Sequence, residues 1–159
     1  VDRWLWGQDV GGYFNTAVDA SADLLVRERS YMDSATPAAN GIAIANLVRL
    51  FLLTENLGYF QQAEQALQSF GSVMTQFSRA CPSLFAALGW YQHPILVRTS
   101  AAEIATLSQQ YLPTVVLALA PNLPTGVVGL VCQGLSCLDP AHSSEQLKAQ
   151  IQQLPQLSP

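Results

Sequence analysis

The chain has 159 residues, a net charge of −4 and 11% charged side chains, against about 25% in an ordinary globular domain. Seven Lys plus Arg provide no basic face for a phosphate backbone, which excludes a nucleic-acid partner, and three cysteines are an odd number that does not describe a secreted disulfide framework. The length accommodates one domain with a real core, and so weakly charged a surface is expected to meet a neighbour.

Val1 to Gln8 reads as the tail of a helix, with Trp4 and Leu5 apolar. Asp2, Arg3 and the Trp4-Leu5-Trp6 cluster do not form a signal peptide, and a cytoplasmic setting is the default expectation. Gly11-Gly12 permits a tight turn, and Tyr13-Phe14 begins a short extended piece. A polar loop then sets Asp23, Arg27, Asp33 and Asn40 ahead of a helix that Pro37 can start. That helix, Ala38 to Thr54, is apolar nearly all round. Its apolar run holds Asn46 and Arg49 and stops well short of roughly 20 residues, so it predicts a buried helix and no membrane span.

Glu55 to Gly58 is a short connection with Gly58 as the break. In the next helix Phe60, Ala63, Leu67, Phe70, Met74 and Phe77 recur at steps of three and four, with Gln61, Gln62, Gln65, Gln68 and Ser69 on the other face. The spacing predicts an amphipathic αα-hairpin in which Phe60, Leu67, Phe70, Met74 and Phe77 pack on Leu47, Leu50 and Phe51. Pro82 can start a further short helix, Ser83 to Tyr91.

After His93-Pro94 the period changes. Ile95 to Val97 is a short strand, Ser100 and Glu103 form a capping-box pattern ahead of a helix to Gln110, and Val115 to Ala120 is a second strand, so the order is β-α-β. Val127 to Cys132 supplies a third strand, Gln133-Gly134-Leu135-Ser136 reads as a hairpin turn, and Ser143 or Ser144 caps a last helix through Leu154.

The stretch from Gly11 to Thr54 resembles the spermatogenesis-associated, YyaL-type family. The residues that carry the likeness are Gly11, Gly12, Tyr13, Phe14, Thr16, Ala17, Asp19, Ala20, Leu24 to Arg27, Asp33, Ala35, Thr36, Pro37 and Asn40. Asn15 and Val18 stand where that family usually has carboxylates, Glu28-Arg29 replaces Pro-Lys, and Ala38-Ala39 replaces Ser-Gly. Val131 to Ile151, with two cysteines, a proline and a short helix, is similar to the family's ending. The resemblance implies a thioredoxin-like domain followed by a toroid of helical hairpins similar to N-acylglucosamine 2-epimerases and six-hairpin glycosidases. On that footing the chain is expected to be a carboxy-terminal piece of a longer protein. Its partners are then the remainder of the parent chain, a small carbohydrate, and a second copy of the fragment by self-association.

The expected fold class is α+β: a helical-hairpin portion of an α-toroid over residues 1–92, then a small α/β lobe over residues 93–159. The resemblance places Asp23, Arg27, Asp33 and Asn40 near a cleft, where they are candidate ligand-binding residues for sugar hydroxyls. The alternative reading gives Asp33 and Asn40 to nearby backbone groups and pairs Arg27 with a local carboxylate. The fragment alone is expected to be inactive, the parent to act on carbohydrates, and neither a metal nor a cofactor is expected, since His93 and His142 have no partner at ligand spacing. Cys132 and Cys137 flank the hairpin turn and are candidate redox residues, with Cα atoms within about 4.4 to 6.8 Å. Because no Lys, Arg or paired His is near them in sequence, they are expected to be reduced and idle. Cys81 is expected to be a buried free thiol.

Overall fold

The computed structural model describes residues 2–20 and 25–155, an α+β fold that divides into two compact units. One takes the chain through Phe51 and then Asn56–Tyr91; the other takes Leu52–Glu55 and the chain from Gln92 onward.

In the first unit a one-turn helix, α1 (Asp2–Leu5), precedes the double glycine, and three longer helices follow: α2 (Ala39–Thr54), α3 (Leu57–Gln76) and α4 (Pro82–Gln92). The Asn56 side chain accepts the Gly58 amide at 2.9 Å and caps α3, so Gly58 lies inside the first turn and is not the break. The chain turns at Glu55 instead, whose φ of 58° is left-handed backbone that stops α2.

Ala63, Ala66, Leu67, Phe70 and Met74 of α3 share one core with Ile44, Leu47 and Val48 of α2 and Leu84 and Ala87 of α4. Phe60 is half-buried, its ring 4.8 Å from that of Phe51 and 4.6 Å from that of Tyr91. Two expected members of this packing are exposed, Phe77 and Leu50. Phe77 leaves the stripe because α3 ends at Gln76, and as C-cap residue its φ of −126° departs from helical geometry. Where α2 meets α4, Gly41 has room for no side chain: a Cβ there would lie 2.5 Å from Ser83 Cβ and 2.6 Å from its carbonyl carbon.

The second unit is a four-stranded sheet in the order β2-β1-β3-β4 with two helices. β1 (Ile95–Thr99) runs parallel to β2 (Val115–Leu119), with Val97 opposite Leu117, and antiparallel to β3 (Gly129–Gln133), with Val97 opposite Val131. β4 (Ser136–Cys137) closes the hairpin predicted from the Gln133 to Ser136 segment, in which Gly134 takes a positive φ. Ile95, Val97, Val131, Leu107, Leu147 and Ile151 form its core.

α5 (Ala101–Leu107) connects β1 to β2 and is capped by Ser100, whose hydroxyl accepts the Glu103 amide at 3.3 Å. The helix ends three residues before the expected Gln110, and the Glu103 carboxylate turns to the Ser144 hydroxyl in place of the capping-box return bond. α6 (Ser144–Gln153) is capped by Ser143, which accepts the Gln146 amide at 3.1 Å. Ser143→Ala is expected to cost about 1 kcal/mol, read as a lower midpoint in urea unfolding with an unchanged slope. No helix among the described residues is long and apolar enough to cross a membrane.

Candidate functional site

Of the four polar residues that the sequence sets ahead of α2, Asp23 lies outside the described residues. The other three bind backbone. Arg27 donates to Thr16 O through Nε at 3.1 Å and Nη2 at 2.8 Å, reaches Trp4 O at 3.3 Å, and lays its guanidinium 4.1 Å from the centre of the Phe14 ring. Among the described residues its partners are carbonyls and a ring.

Asn40 is fully buried, and all its polar atoms are engaged. Its Oδ1 accepts the Tyr13 amide at 2.6 Å, while Nδ2 donates to Tyr13 O at 2.9 Å and Ser30 O at 2.8 Å. The side chain thus pairs with Tyr13 as a neighbouring strand would. Gly12 must be glycine at this point: its φ is 77°, and a Cβ would stand 2.9 Å from the Phe70 ring and 3.1 Å from Asn40 Oδ1.

Asp33 joins two helix starts. Oδ1 accepts the Ala38 amide at 2.5 Å and the Ser83 hydroxyl at 2.6 Å, and Oδ2 accepts the Ser83 amide at 2.6 Å, so one carboxylate sits at the positive ends of both α2 and α4. Burial works upward on its pKa, but the bonds from the Ser83 hydroxyl, the Ala38 amide and the Ser83 amide outweigh it and hold the carboxyl below its usual range. Arg29, one of the departures from the family pattern, adds a further tie by donating to Gly11 O at 2.5 Å, Ser69 Oγ at 2.7 Å and Val10 O at 3.0 Å. Asn15 exchanges hydrogen bonds with Ser30 Oγ at 2.7 and 2.9 Å.

An open cleft of about 450 Å³ lies elsewhere on the same unit, lined by Asp2, Trp6, Gln8, Asn56, Gly58, Tyr59, Gln61, Gln62 and Gln65. Trp6 is buried and packs edge-on to Tyr13 at 5.1 Å. The Tyr13 hydroxyl donates to Asp2 Oδ1 at 2.8 Å, and its pKa is pushed far up, by burial first and then by Asp2, so the phenol keeps its proton and fixes that carboxylate. Gln65 Nε2 donates to Gln8 O at 3.0 Å. Asp2 and Tyr59 also border a more apolar recess with Tyr13, Ala43, Asn46, Leu47 and Leu50. Among the described residues the lining holds one carboxylate and no Lys, Arg or His, which suits hydrogen bonding to neutral groups. Sequence reasoning assigned the glutamines only to the outer face of α3. The signal that could have marked them is the near absence of charge there, since solvated helix faces are ordinarily rich in Lys and Glu.

Cys132 and Cys137, expected to be reduced, are joined in a disulfide, with Cα atoms 3.8 Å apart, closer than anticipated. In a two-residue hairpin the pair next to the closing pair is the non-hydrogen-bonded one, where antiparallel strands come nearest. The cation missing from the local sequence arrives from β1: Arg98 Nη1 is 4.0 Å from Cys132 Sγ. Cys81 is a buried free thiol, pushed up by burial and by Asp33. His142 contacts Gly126 O through Nδ1 at 2.8 Å at the approach to α6. Among the described residues no group of three or more His, Cys, Asp or Glu is placed to hold a metal ion.

No family model matches the chain. It is 27% identical over 133 residues to spermatogenesis-associated protein 20 of Rattus norvegicus, covering 78% of this chain and 17% of that protein. The proteins of the same name from Homo sapiens and Mus musculus are each 26% identical over 146 residues, covering 86% of this chain and 19% and 18% of their own lengths. The chain is thus similar over most of its length to spermatogenesis-associated protein 20 of three mammals, and it spans less than a fifth of the length of those relatives.

Proposed function

We propose that the helical unit supplies one wall of a binding cleft for a neutral, hydroxyl-rich ligand of the carbohydrate type, as the carboxy-terminal part of a longer protein. The observation that supports this most is the lining of the cleft. Amides of Gln8, Gln61, Gln62 and Gln65 offer donors and acceptors together, Asp2 adds an acceptor held by Tyr13, and Tyr59 adds ring surface. Neutral hydroxyls need such dual partners, whereas an anionic ligand would need a cation, and the described residues of the lining include none. The remaining walls belong in this reading to the rest of the parent chain, a thioredoxin-like domain and further toroid hairpins, in a cytoplasmic protein. Any reaction would then use acid and base groups from outside this chain.

A second reading, an interaction domain without a ligand, is favoured by an apolar recess of about 330 Å³ lined by Leu67, Gly71, Met74, Thr75, Phe85 and Leu88, and by the exposure of Phe77 on the same unit. Calorimetry separates the two. On the carbohydrate reading the isolated chain binds glucose or N-acetylglucosamine weakly, a longer protein that includes it binds more tightly, and Tyr59→Ala or Gln62→Ala in that protein weakens binding roughly tenfold, worth about 1.4 kcal/mol. Equal heats from wild type and both variants select the interaction domain.

A further inference from the structure

We propose that the Cys132–Cys137 disulfide is a thiol–disulfide exchange site, attacked at Cys137 and leaving Cys132 as a thiolate beside Arg98. The inference stands independently of the cleft.

Accessibility is one-sided. Cys137 is exposed on β4, a two-residue strand at the sheet edge, whereas Cys132 is 2% exposed in β3, between β1 and β4. An incoming thiolate therefore meets the Cys137 sulfur first. The cation is on the side of the leaving sulfur, with Arg98 Nη1 at 4.0 Å from Cys132 Sγ. Its other nitrogen, Nη2, is held by the Glu55 carboxylate, so the guanidinium is fixed in place. A neighbouring cation favours a thiolate over a thiol, and a better-stabilised thiolate leaves faster.

The bond also has little structural work. Cys132 and Cys137 are five residues apart, so the loop closed is very short and the chain-entropy gain from cross-linking lies at the low end. The register of the hairpin is already held by the Gln133 and Ser136 pairing, by Leu138 N to Val131 O at 2.9 Å, and by Gly134 N to Pro94 O at 2.9 Å.

The co-reactant is a dithiol, or two equivalents of a monothiol such as glutathione. Its first thiolate forms a mixed disulfide with Cys137 while the original bond breaks and its electron pair passes to Cys132 Sγ. A second thiolate attacks the mixed disulfide, releases Cys137 as a thiolate and leaves the reductant as its own disulfide. Two electrons have entered the protein, and the protons follow from solvent. A bond of this kind is the one expected in a reducing compartment, where disulfides are transient or regulatory.

The test equilibrates the 159-residue chain in a series of glutathione redox buffers, followed by thiol labelling and mass spectrometry. The expected result is a reversible two-electron transition at Cys132 and Cys137, with Cys81 unlabelled until unfolding. With oxidised glutathione, Cys132→Ser is expected to take one glutathione at Cys137, and Cys137→Ser none at Cys132. Arg98→Leu is expected to slow reduction by dithiothreitol on the order of threefold, while Arg98→Lys, which keeps a positive charge at this position of β1, stays within twofold of wild type. A bond that survives the most reducing buffer overturns the proposal. So does equal glutathionylation of the two serine variants, or an Arg98→Leu rate equal to wild type.

Discussion

Replacing Asn40 by alanine is expected to lower stability by about 3 kcal/mol or more, because it strips partners from the Tyr13 amide, the Tyr13 carbonyl and the Ser30 carbonyl at once. Against total stabilities of about 5–15 kcal/mol, that is a large share, and urea unfolding would show it. Asn40→Asp separates hydrogen bonding from volume. It keeps an acceptor for the Tyr13 amide but turns a carboxylate oxygen toward two carbonyls, so at pH 7 it is expected to be at least as damaging. Protonation restores a donor. The introduced carboxyl has a raised pKa in the folded state, so its variant is most stable below the unfolded value of about 3.9 and loses that stability as pH rises through the folded value. A stability loss within 0.5 kcal/mol for Asn40→Ala would rule out the latch around Tyr13.

Asp33→Ala is expected to cost about 2–4 kcal/mol, since one carboxylate caps two helices and accepts three hydrogen bonds. Its pH dependence has a definite sign. The pKa is lowered in the folded protein from an ordinary 3.8, so the contribution is present above that value and is lost as pH falls through the folded one. Wild type should therefore lose stability on acidification below about pH 4 through this group, and Asp33→Asn should lack that component. Identical acid unfolding curves for the two would contradict the double cap.

Elements whose determinants are local were legible in the sequence. The step of three and four from Phe60 to Met74 located α3, the turn at Gly134 located the hairpin, and Ser100 and Ser143 located two helix starts. What escaped has partners far along the chain or depends on where an element stops. Asn40 finds Tyr13 27 residues away, Asp33 finds Ser83 50 residues away, and Arg98 approaches a sulfur 34 residues on. No local pattern encodes such pairings. Phe77 fits the stripe by spacing and fails only because α3 ends one residue before it, and Glu55 adopts a left-handed turn that glycine usually fills. The polar residues of the family signature were legible as a group, but their role was not: the same Asx and Arg side chains that would hold a hydroxyl also hold a carbonyl or an amide.

The central proposal is that the described residues between Gly11 and Asn40 are a scaffold and that ligand contacts belong to the amide-lined cleft beside Tyr59. Titration of the nitrogen-15-labelled chain with glucose and with N-acetylglucosamine, followed by two-dimensional amide spectra, tests it most directly. The account predicts shifts concentrated on the side-chain amides of Gln8, Gln61, Gln62 and Gln65 and the backbone near Tyr59, with Asp33 to Asn40 unmoved. Shifts centred on Asp33 and Asn40 with a silent cleft would contradict it.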